Sequence, residues 1–208
     1  GQDKYNMAVG GYTTELDLIN DLENFERYDD ALKYFKKCVR IDRKDGRAQN
    51  NMGNVFSSKK QYVKARKCYE ESNKYDPTSP VGWTNLGNTL ENLRQLKKAI
   101  KCYDEAIKID KKYKLALLNK GDILKNKLGQ HKKAKECYRE AVKIQSENSY
   151  GWRLDGVCFS RLGQYRKAIK CCDKSIEMNP KDPDPKFVKA HILSEKLHKY
   201  NAAQKLYK

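Results

Sequence analysis

The chain has 208 residues, of which 38% are hydrophobic and 34% are charged, and its 44 Lys and Arg exceed its 27 Asp and Glu by a formal +17. This length and composition indicate one ordered domain or one extended array, and no segment approaches the ~20 apolar residues of a membrane-spanning helix. The positive charge favours an acidic partner, and seven cysteines without a CxxC pair are typical of a reducing compartment rather than a disulfide scaffold.

The same residue types recur along the chain at steps of 34 or 35 positions. Cysteines recur at Cys68, Cys102, Cys137 and Cys171, and alanines and glycines recur with the same step. The alanines are Ala31, Ala65, Ala99, Ala134, Ala168 and Ala203, and the glycines are Gly53, Gly87, Gly121 and Gly156. A period shared by several residue classes indicates stacked structural repeats.

In chain order, residues 1–11 are predicted to be a lead segment, and residues 12–208 an array of repeats. The predicted repeats are 12–45, 46–79, 80–113, 114–148, 149–182 and 183–208, the last of them incomplete. Each repeat shows two stretches of helical apolar spacing with a polar turn between them, and Pro77 and Pro180 close second helices. One extra residue lengthens the turn of the fourth repeat (KNKLGQH) and of the sixth (SEKLHKY). The chain starts at Gly1 without Met, so we expect it to be a piece of a longer protein.

These repeats resemble the tetratricopeptide repeat (TPR) family. The third repeat carries the matching residues Trp83, Leu86, Gly87, Ala99, Tyr103 and Ala106, and the fifth carries Trp152, Gly156 and Ala168. The first repeat departs from the pattern, with Glu15 and Ile19 in place of the Trp and the Gly. The resemblance implies an all-α fold, a right-handed α-solenoid of about six stacked helix-turn-helix units. We expect the array to continue past Lys208, with a covering partner as the alternative.

The recurring cysteines are predicted to be small core residues. Equivalent positions of stacked helix pairs lie at least ~8–10 Å apart, whereas a disulfide requires Cα atoms within ~7 Å. We therefore predict no metal site and no cofactor. No glycine-rich phosphate loop, acid–base pair or metal-ligand spacing is present in the sequence, so a non-enzymatic protein without a small-molecule substrate is expected.

Asparagines recur on the first helices. The resemblance implies a concave peptide-binding groove formed by the second, fifth, sixth, ninth and twelfth slots of each repeat. An Asn side chain both donates and accepts hydrogen bonds, so a row of them can hold an extended peptide backbone. The same slots also hold Thr84, Leu118 and Leu154. The predicted groove residues are Arg47, Asn50, Asn51, Asn54, Asn85, Asn88, Asn119, Asp122 and Arg153.

The second helices begin with cations. Acidic side chains are favoured at a helix N-terminus, yet the third, fourth and fifth repeats each place two cations there. We predict that these residues form a basic edge that binds acidic partners. The alternative is a lysine-rich, solvent-exposed surface without a binding role, which would give the same pattern. The predicted basic edge consists of Lys64, Lys97, Lys98, Lys132, Lys133, Arg166 and Lys167.

The function predicted from these features is a cytoplasmic adaptor or scaffold that binds other proteins. Three alternatives stay open: a cytoskeletal or ciliary component on an acidic polymer such as a microtubule, an RNA-binding helical repeat, and a co-chaperone for acidic heat-shock protein tails. A nuclear location is also open. The co-chaperone clamp needs two cations after its asparagines. Here Asn50, Asn54 and Asn85 are followed by Leu115 and Asn119.

Overall fold

The computed structural model of the protein describes residues 25–206, and this part of the chain consists of α-helices and short connections, with no strand. The lead segment 1–11 and the first helix of the first predicted repeat lie outside the described residues. The helices are α1 (Phe25–Ile41), α2 (Gly46–Ser58), α3 (Tyr62–Tyr75), α4 (Pro80–Asn92), α5 (Leu96–Ile109), α6 (Lys114–Asn126), α7 (His131–Lys143), α8 (Ser149–Arg161), α9 (Tyr165–Met178), α10 (Asp184–Glu195) and α11 (Tyr200–Gln204). The predicted all-α class of consecutive helix pairs is confirmed.

The chain forms two compact units, the first ending at Gln95 and the second starting at Leu96. In the first unit α1 packs on α2, α2 on α3 and α3 on α4, and α2 also touches α4. In the second unit each helix from α5 to α11 packs on the next one. The first helices of successive repeats also meet there, α6 with α8 and α8 with α10.

The two helices of a repeat start differently. Three of the first helices, α2, α4 and α8, have a capping side chain, whereas α6 and α10 have none. Asp45 accepts from the Ala48 N–H at 2.9 Å, and Asn148 accepts from the Gly151 N–H at 2.8 Å. Such a bond satisfies one of the N–H groups that a helix start leaves without a partner. Second helices α3, α7 and α9 begin after a glutamine whose side chain makes no cap bond. These three helices carry cations near their starts: Lys64 on α3, Lys132 and Lys133 on α7, and Arg166 and Lys167 on α9.

The turn lengths confirm the predicted insertions. Three residues join the helices at 59–61, 93–95 and 162–164, whereas four residues join them at 127–130 and 196–199. Each of these turns has one residue in the left-handed backbone region: Lys60, Arg94, Gly129, Gly163 and His198, with φ between 53° and 77°. Three of these positions hold a residue with a side chain, which the left-handed region disfavours.

Replacing Lys60 with glycine tests this backbone constraint. A left-handed residue other than glycine costs about 1–2 kcal/mol, and glycine costs about 0.5–1 kcal/mol in chain entropy, so Lys60→Gly should raise the free energy of unfolding by about 0.5–1 kcal/mol. The matched change, Gly163→Ala at φ 77°, should lower it by a similar amount. Urea unfolding measures both variants, and equal effects of the same sign would contradict the argument.

The recurring alanines and cysteines lie in the core. Ala65, Ala99 and Ala168 are fully buried, and Cys68, Cys102 and Cys171 are buried beside them, as predicted, while Cys137 is half-buried. Burial raises the pKa of the Cys68 and Cys171 thiols to about 11 and that of the Cys158 and Cys172 thiols to about 12. These thiols are protonated at neutral pH and are therefore poor nucleophiles.

Two further features concern the part of the chain that the structure describes. None of its seven cysteines forms a disulfide, and no three side chains of His, Cys, Asp or Glu come together as metal ligands between residues 25 and 206. None of the helices in this range is both long and apolar enough to cross a lipid bilayer.

Candidate interaction surfaces

A tyrosine of the second helix orients a polar residue of the first helix in two repeats. The Tyr69 hydroxyl donates to Asn54 Oδ1 at 2.8 Å, and the Tyr138 hydroxyl donates to Asp122 Oδ1 at 2.7 Å. A glycine precedes each acceptor, and a Cβ at Gly53 or Gly121 would lie 2.5 Å from the Cε1 atom of that tyrosine ring. The ring can cross the first helix only because the glycine has no side chain.

In the first unit this arrangement holds a group of asparagines, which we call the amide surface: Asn50, Asn54 and Asn85. The Asn85 side-chain N–H group donates to Asn50 Oδ1 at 3.1 Å and to Asn54 Oδ1 at 3.3 Å. These bonds join α2 and α4, which belong to successive repeats. All three residues are half-buried. Asn51 and Asn88 are half-buried as well, and Arg47 is exposed.

In the second unit two predicted groove residues are engaged by neighbours. The Asp122 carboxylate accepts from Arg161 Nε at 2.9 Å as well as from Tyr138, so Arg161, which follows on α8, covers it. Arg153 lies over the Tyr150 ring, with its guanidinium carbon 4.9 Å from the ring centroid. Asn119 is half-buried.

Arg153 is also held by acidic groups ahead of α10 and at its start. Its NH1 atom is 2.8 Å from Asp184 Oδ2, and its Nε is 3.9 Å from Asp182 Oδ2. The slot rule is wrong for Thr84, Leu118 and Leu154, which the structure buries in the core with at most 6% exposure. These slots pack against neighbouring helices instead of facing a ligand.

All seven residues of the predicted basic edge are exposed. None of them forms an ion pair with the acidic side chains described between residues 28 and 206. Helices α5, α7 and α9 have no acidic residue in their first turn. Two edge cations lie over phenylalanine rings of the preceding helix: Lys64 Nζ is 5.6 Å from the Phe56 ring centroid, and Lys167 Nζ is 5.6 Å from that of Phe159.

The net charge belongs almost entirely to the second unit. Residues 1–95 contain 16 Lys and Arg against 14 Asp and Glu, a formal +2, whereas residues 96–208 contain 28 against 13, a formal +15. The division between the units was not visible in the repeat pattern, because it falls inside the third predicted repeat. Six of the seven basic-edge residues, all except Lys64, therefore lie in the cationic unit.

A buried ion pair in the second unit was missed at the sequence level. Lys114 Nζ on α6 is 2.6 Å from Asp155 Oδ1 on α8, and the two side chains are 6% and 8% exposed. Ser146 completes the group: its hydroxyl donates to Asp155 Oδ2 at 2.6 Å and also meets Lys114 Nζ. The bridge links the first helices of successive repeats. The residues stand at different repeat positions, so the period gives no signal for them.

Adding a methyl group at Gly53 tests the packing of the tyrosine. The Cβ of Gly53→Ala would overlap the Tyr69 ring, and after the gain in helix propensity we expect the free energy of unfolding to fall by about 1–2 kcal/mol. Ser58→Ala, at the exposed end of the same helix, should change it by less than about 0.5 kcal/mol. Chemical denaturation compares the two, and a Gly53→Ala variant as stable as the parent would contradict this account.

Removing one partner of the buried ion pair should be costly. Asp155→Ala leaves the Lys114 ammonium buried without its carboxylate, so the free energy of unfolding should fall by about 3–5 kcal/mol. The apolar double variant Lys114→Met/Asp155→Leu should recover most of this loss, because neither charge then remains buried. Thermal and urea unfolding measure both. A double variant that is less stable than Asp155→Ala would refute the assignment.

Three features define a helical-repeat protein: consecutive helix pairs, a glycine under the tyrosine that crosses the pair in two repeats, and turns of three or four residues within the pairs. Family models described as tetratricopeptide repeat match residues 80–113 and 149–182, and a second set with the same description matches 22–45, 46–79 and 115–148. The chain belongs to the tetratricopeptide repeat family, whose members are generally non-catalytic protein-interaction scaffolds.

Two solved structures show the same fold. The thermophilic TPR protein TTC0263 of Thermus thermophilus is similar with a TM-score of 0.64 and 19% identity, covering 91% of this chain and 97% of that one. A crystal structure of MamA is similar with a TM-score of 0.54 and 21% identity, covering 75% of this chain and 91% of that one. No curated protein sequence matches the chain.

Proposed function

We propose that this protein is a non-catalytic scaffold whose amide surface binds an extended segment of a partner protein. The observation that carries the proposal is the forked hydrogen bond from Asn85 to Asn50 and Asn54, which fixes three amides in one orientation. Among the hydrogen bonds of the first unit that the structure describes, the Asn85 Oδ1 atom and the side-chain N–H groups of Asn50 and Asn54 are left for a ligand. One acceptor and several donors match the alternating C=O and N–H groups of an extended backbone.

The amide surface is preorganised for such a ligand. Tyr69 holds Asn54 from the second helix, and Asn85 holds Asn54 from the next repeat, so binding need not order these side chains first. Preorganisation lowers the entropy cost of association. Asn51 and Asn88 extend the amide surface within the first unit as predicted groove residues. The remaining residues of the predicted groove are Arg47, Asn119, Asp122 and Arg153.

We further propose that the repeats run from residue 12 to residue 208 and that the basic edge offers a second contact for an acidic surface. The exposure of the edge cations and the acid-free first turns of α5, α7 and α9 support this second contact. A cytoskeletal or ciliary polymer and RNA would both use this same charge. The co-chaperone alternative lacks support, because Leu115 and Asn119 stand where a carboxylate clamp needs cations.

Peptides selected from a random library on the full chain test the amide surface. We expect Asn50→Ala and Asn85→Ala each to weaken the selected peptides about fivefold, the value of one hydrogen bond. Tyr69→Phe should weaken them too, because it releases Asn54 while keeping the ring in place. Lys67→Ala, at an exposed position of α3 that forms no part of the amide surface, is the matched control and should leave affinity unchanged.

Fluorescence anisotropy with the labelled peptides gives these affinities, and circular dichroism confirms that each variant is folded. If selection yields peptides whose affinity is unaffected by all three changes, the amide surface is not the binding site. If the Lys67→Ala control weakens binding as strongly as Asn85→Ala, the effect is not specific to the amides.

A further inference from the structure

We propose that the part of the basic edge in the second unit binds an extended acidic segment of a partner polypeptide through Lys–carboxylate contacts. This second-unit edge consists of Lys97, Lys98, Lys132, Lys133, Arg166 and Lys167. The inference rests on the second contact of the proposed function and names its partner. It does not depend on the amide surface, which lies in the other unit.

Several cations of the second unit are paired with carboxylates, and the six edge cations are not among them. Lys120 Nζ is 2.5 Å from Asp104 Oδ1, and Lys189 Nζ is 2.5 Å from Asp173 Oδ1, a pair two repeats further along at the same slots. Lys114, Arg153 and Arg161 are also paired with carboxylates. The six edge cations form no ion pair with the acidic groups between residues 96 and 206, so their field extends into solvent.

The charges are separated between the two ends of the helix pairs of the fourth and fifth repeats. Segments 123–135 and 158–170, which contain the turns inside these two repeats, hold five and four Lys or Arg and no acidic residue. At the other end, segment 138–150 has two basic and two acidic residues, and segment 172–184 has two basic and four acidic ones. Helices joined by short turns run antiparallel, so the cations gather at one end and the acids at the other.

That other end also holds a groove of about 720 Å³. Apolar side chains of Ile107, Leu117 and Ile144 line it, and lysines stand beside Asp104, Glu140 and Glu147 at its rim. Lys111 and Lys112 belong to this rim and are as exposed as the edge cations, but they have carboxylates around them. Lys111 and Lys112 can therefore serve as a control for the edge: they are two adjacent exposed lysines of the same unit, but acidic side chains lie around them.

The spacing of the cation pairs sets a minimum length for a bound segment. The three cation pairs occupy the same slot of α5, α7 and α9, so consecutive pairs are separated by at least a helix-packing distance of ~8–10 Å. An extended polypeptide advances about 3.3–3.6 Å per residue, so consecutive pairs are at least about three residues apart along a bound segment. A run of aspartate or glutamate that spans the edge is therefore at least about seven residues long.

The chemistry of the edge favours carboxylates over a phosphate backbone or a bilayer. Five of the six cations are lysine, a point charge, whereas planar bidentate recognition of phosphate favours arginine. Base stacking needs aromatic platforms and membrane insertion needs apolar side chains. Of the exposed large apolar residues described in the second unit, Ile109, Tyr150, Met178 and Phe187 lie toward the opposite helix ends. Leu128 and Tyr200 lie at the end that holds the cations, too few to insert into a bilayer.

A fluorescein-labelled twelve-residue glutamate peptide is the probe, measured with the full chain by anisotropy. Lys132→Glu/Lys133→Glu should weaken binding about tenfold or more, because like charges then face the peptide. The control variant Lys111→Glu/Lys112→Glu changes the net charge by the same amount at the other end of the helix pairs. It should weaken peptide binding less than about threefold. Affinity for the parent should fall steeply as salt is raised.

Three outcomes would overturn the proposal. Equal losses in both double variants would mean that the peptide senses net charge and not the edge. Tighter, edge-dependent binding of a uridine twelve-mer would assign the edge to nucleic acid, and edge-dependent binding of phosphatidylserine vesicles in preference to the peptide would assign it to membranes. The peptides selected on the amide surface test the proposed function separately. Lys132→Glu/Lys133→Glu should leave the affinity of these peptides unchanged, whether or not the edge binds the glutamate peptide.

Discussion

The missing side chain at Gly53 and at Gly121 is the constraint on which both the fold and the candidate site depend. It lets a tyrosine of the second helix lie across the first helix, with ring atoms 2.5 Å from where a Cβ would be. The same ring carries its hydroxyl to Asn54 in one repeat and to Asp122 in another. The contact that closes a helix pair therefore also orients a residue of the predicted groove, so the order of that surface depends on the packing of the core.

The repeat period was sufficient to predict the helix pairs, the lengths of the turns and the core position of the cysteines. These features depend on residues that recur at the same position of successive repeats, such as Ala65, Ala99 and Ala168. Each repeat therefore supports the structure predicted for the others. The paired states of Asp122 and Arg153 could not be predicted in this way. Their partners, Arg161 and Asp184, come from the following repeat and stand at slots that do not recur with the same residue.

The basic edge shows the opposite limit of sequence reasoning. The repeat period identifies its residues, but their effect on stability and their role in binding depend on the charges around them. Pairs such as Lys97–Lys101 and Arg166–Lys170, one helical turn apart, repel each other and lie at the helix end whose dipole disfavours cations. The structure adds that no described acidic group of the second unit relieves this repulsion, although Lys120 and Lys189 find carboxylates close by.

The uneven division of charge has a kinetic consequence. Electrostatic attraction acts over about a Debye length, ~8 Å at physiological ionic strength, whereas an amide hydrogen bond acts only on contact. A polyanion is therefore attracted more strongly by residues 96–208, at a formal +15, than by residues 1–95, at +2. For a partner that carries both proposed ligands, capture of its acidic segment by the basic edge would precede recognition by the amide surface.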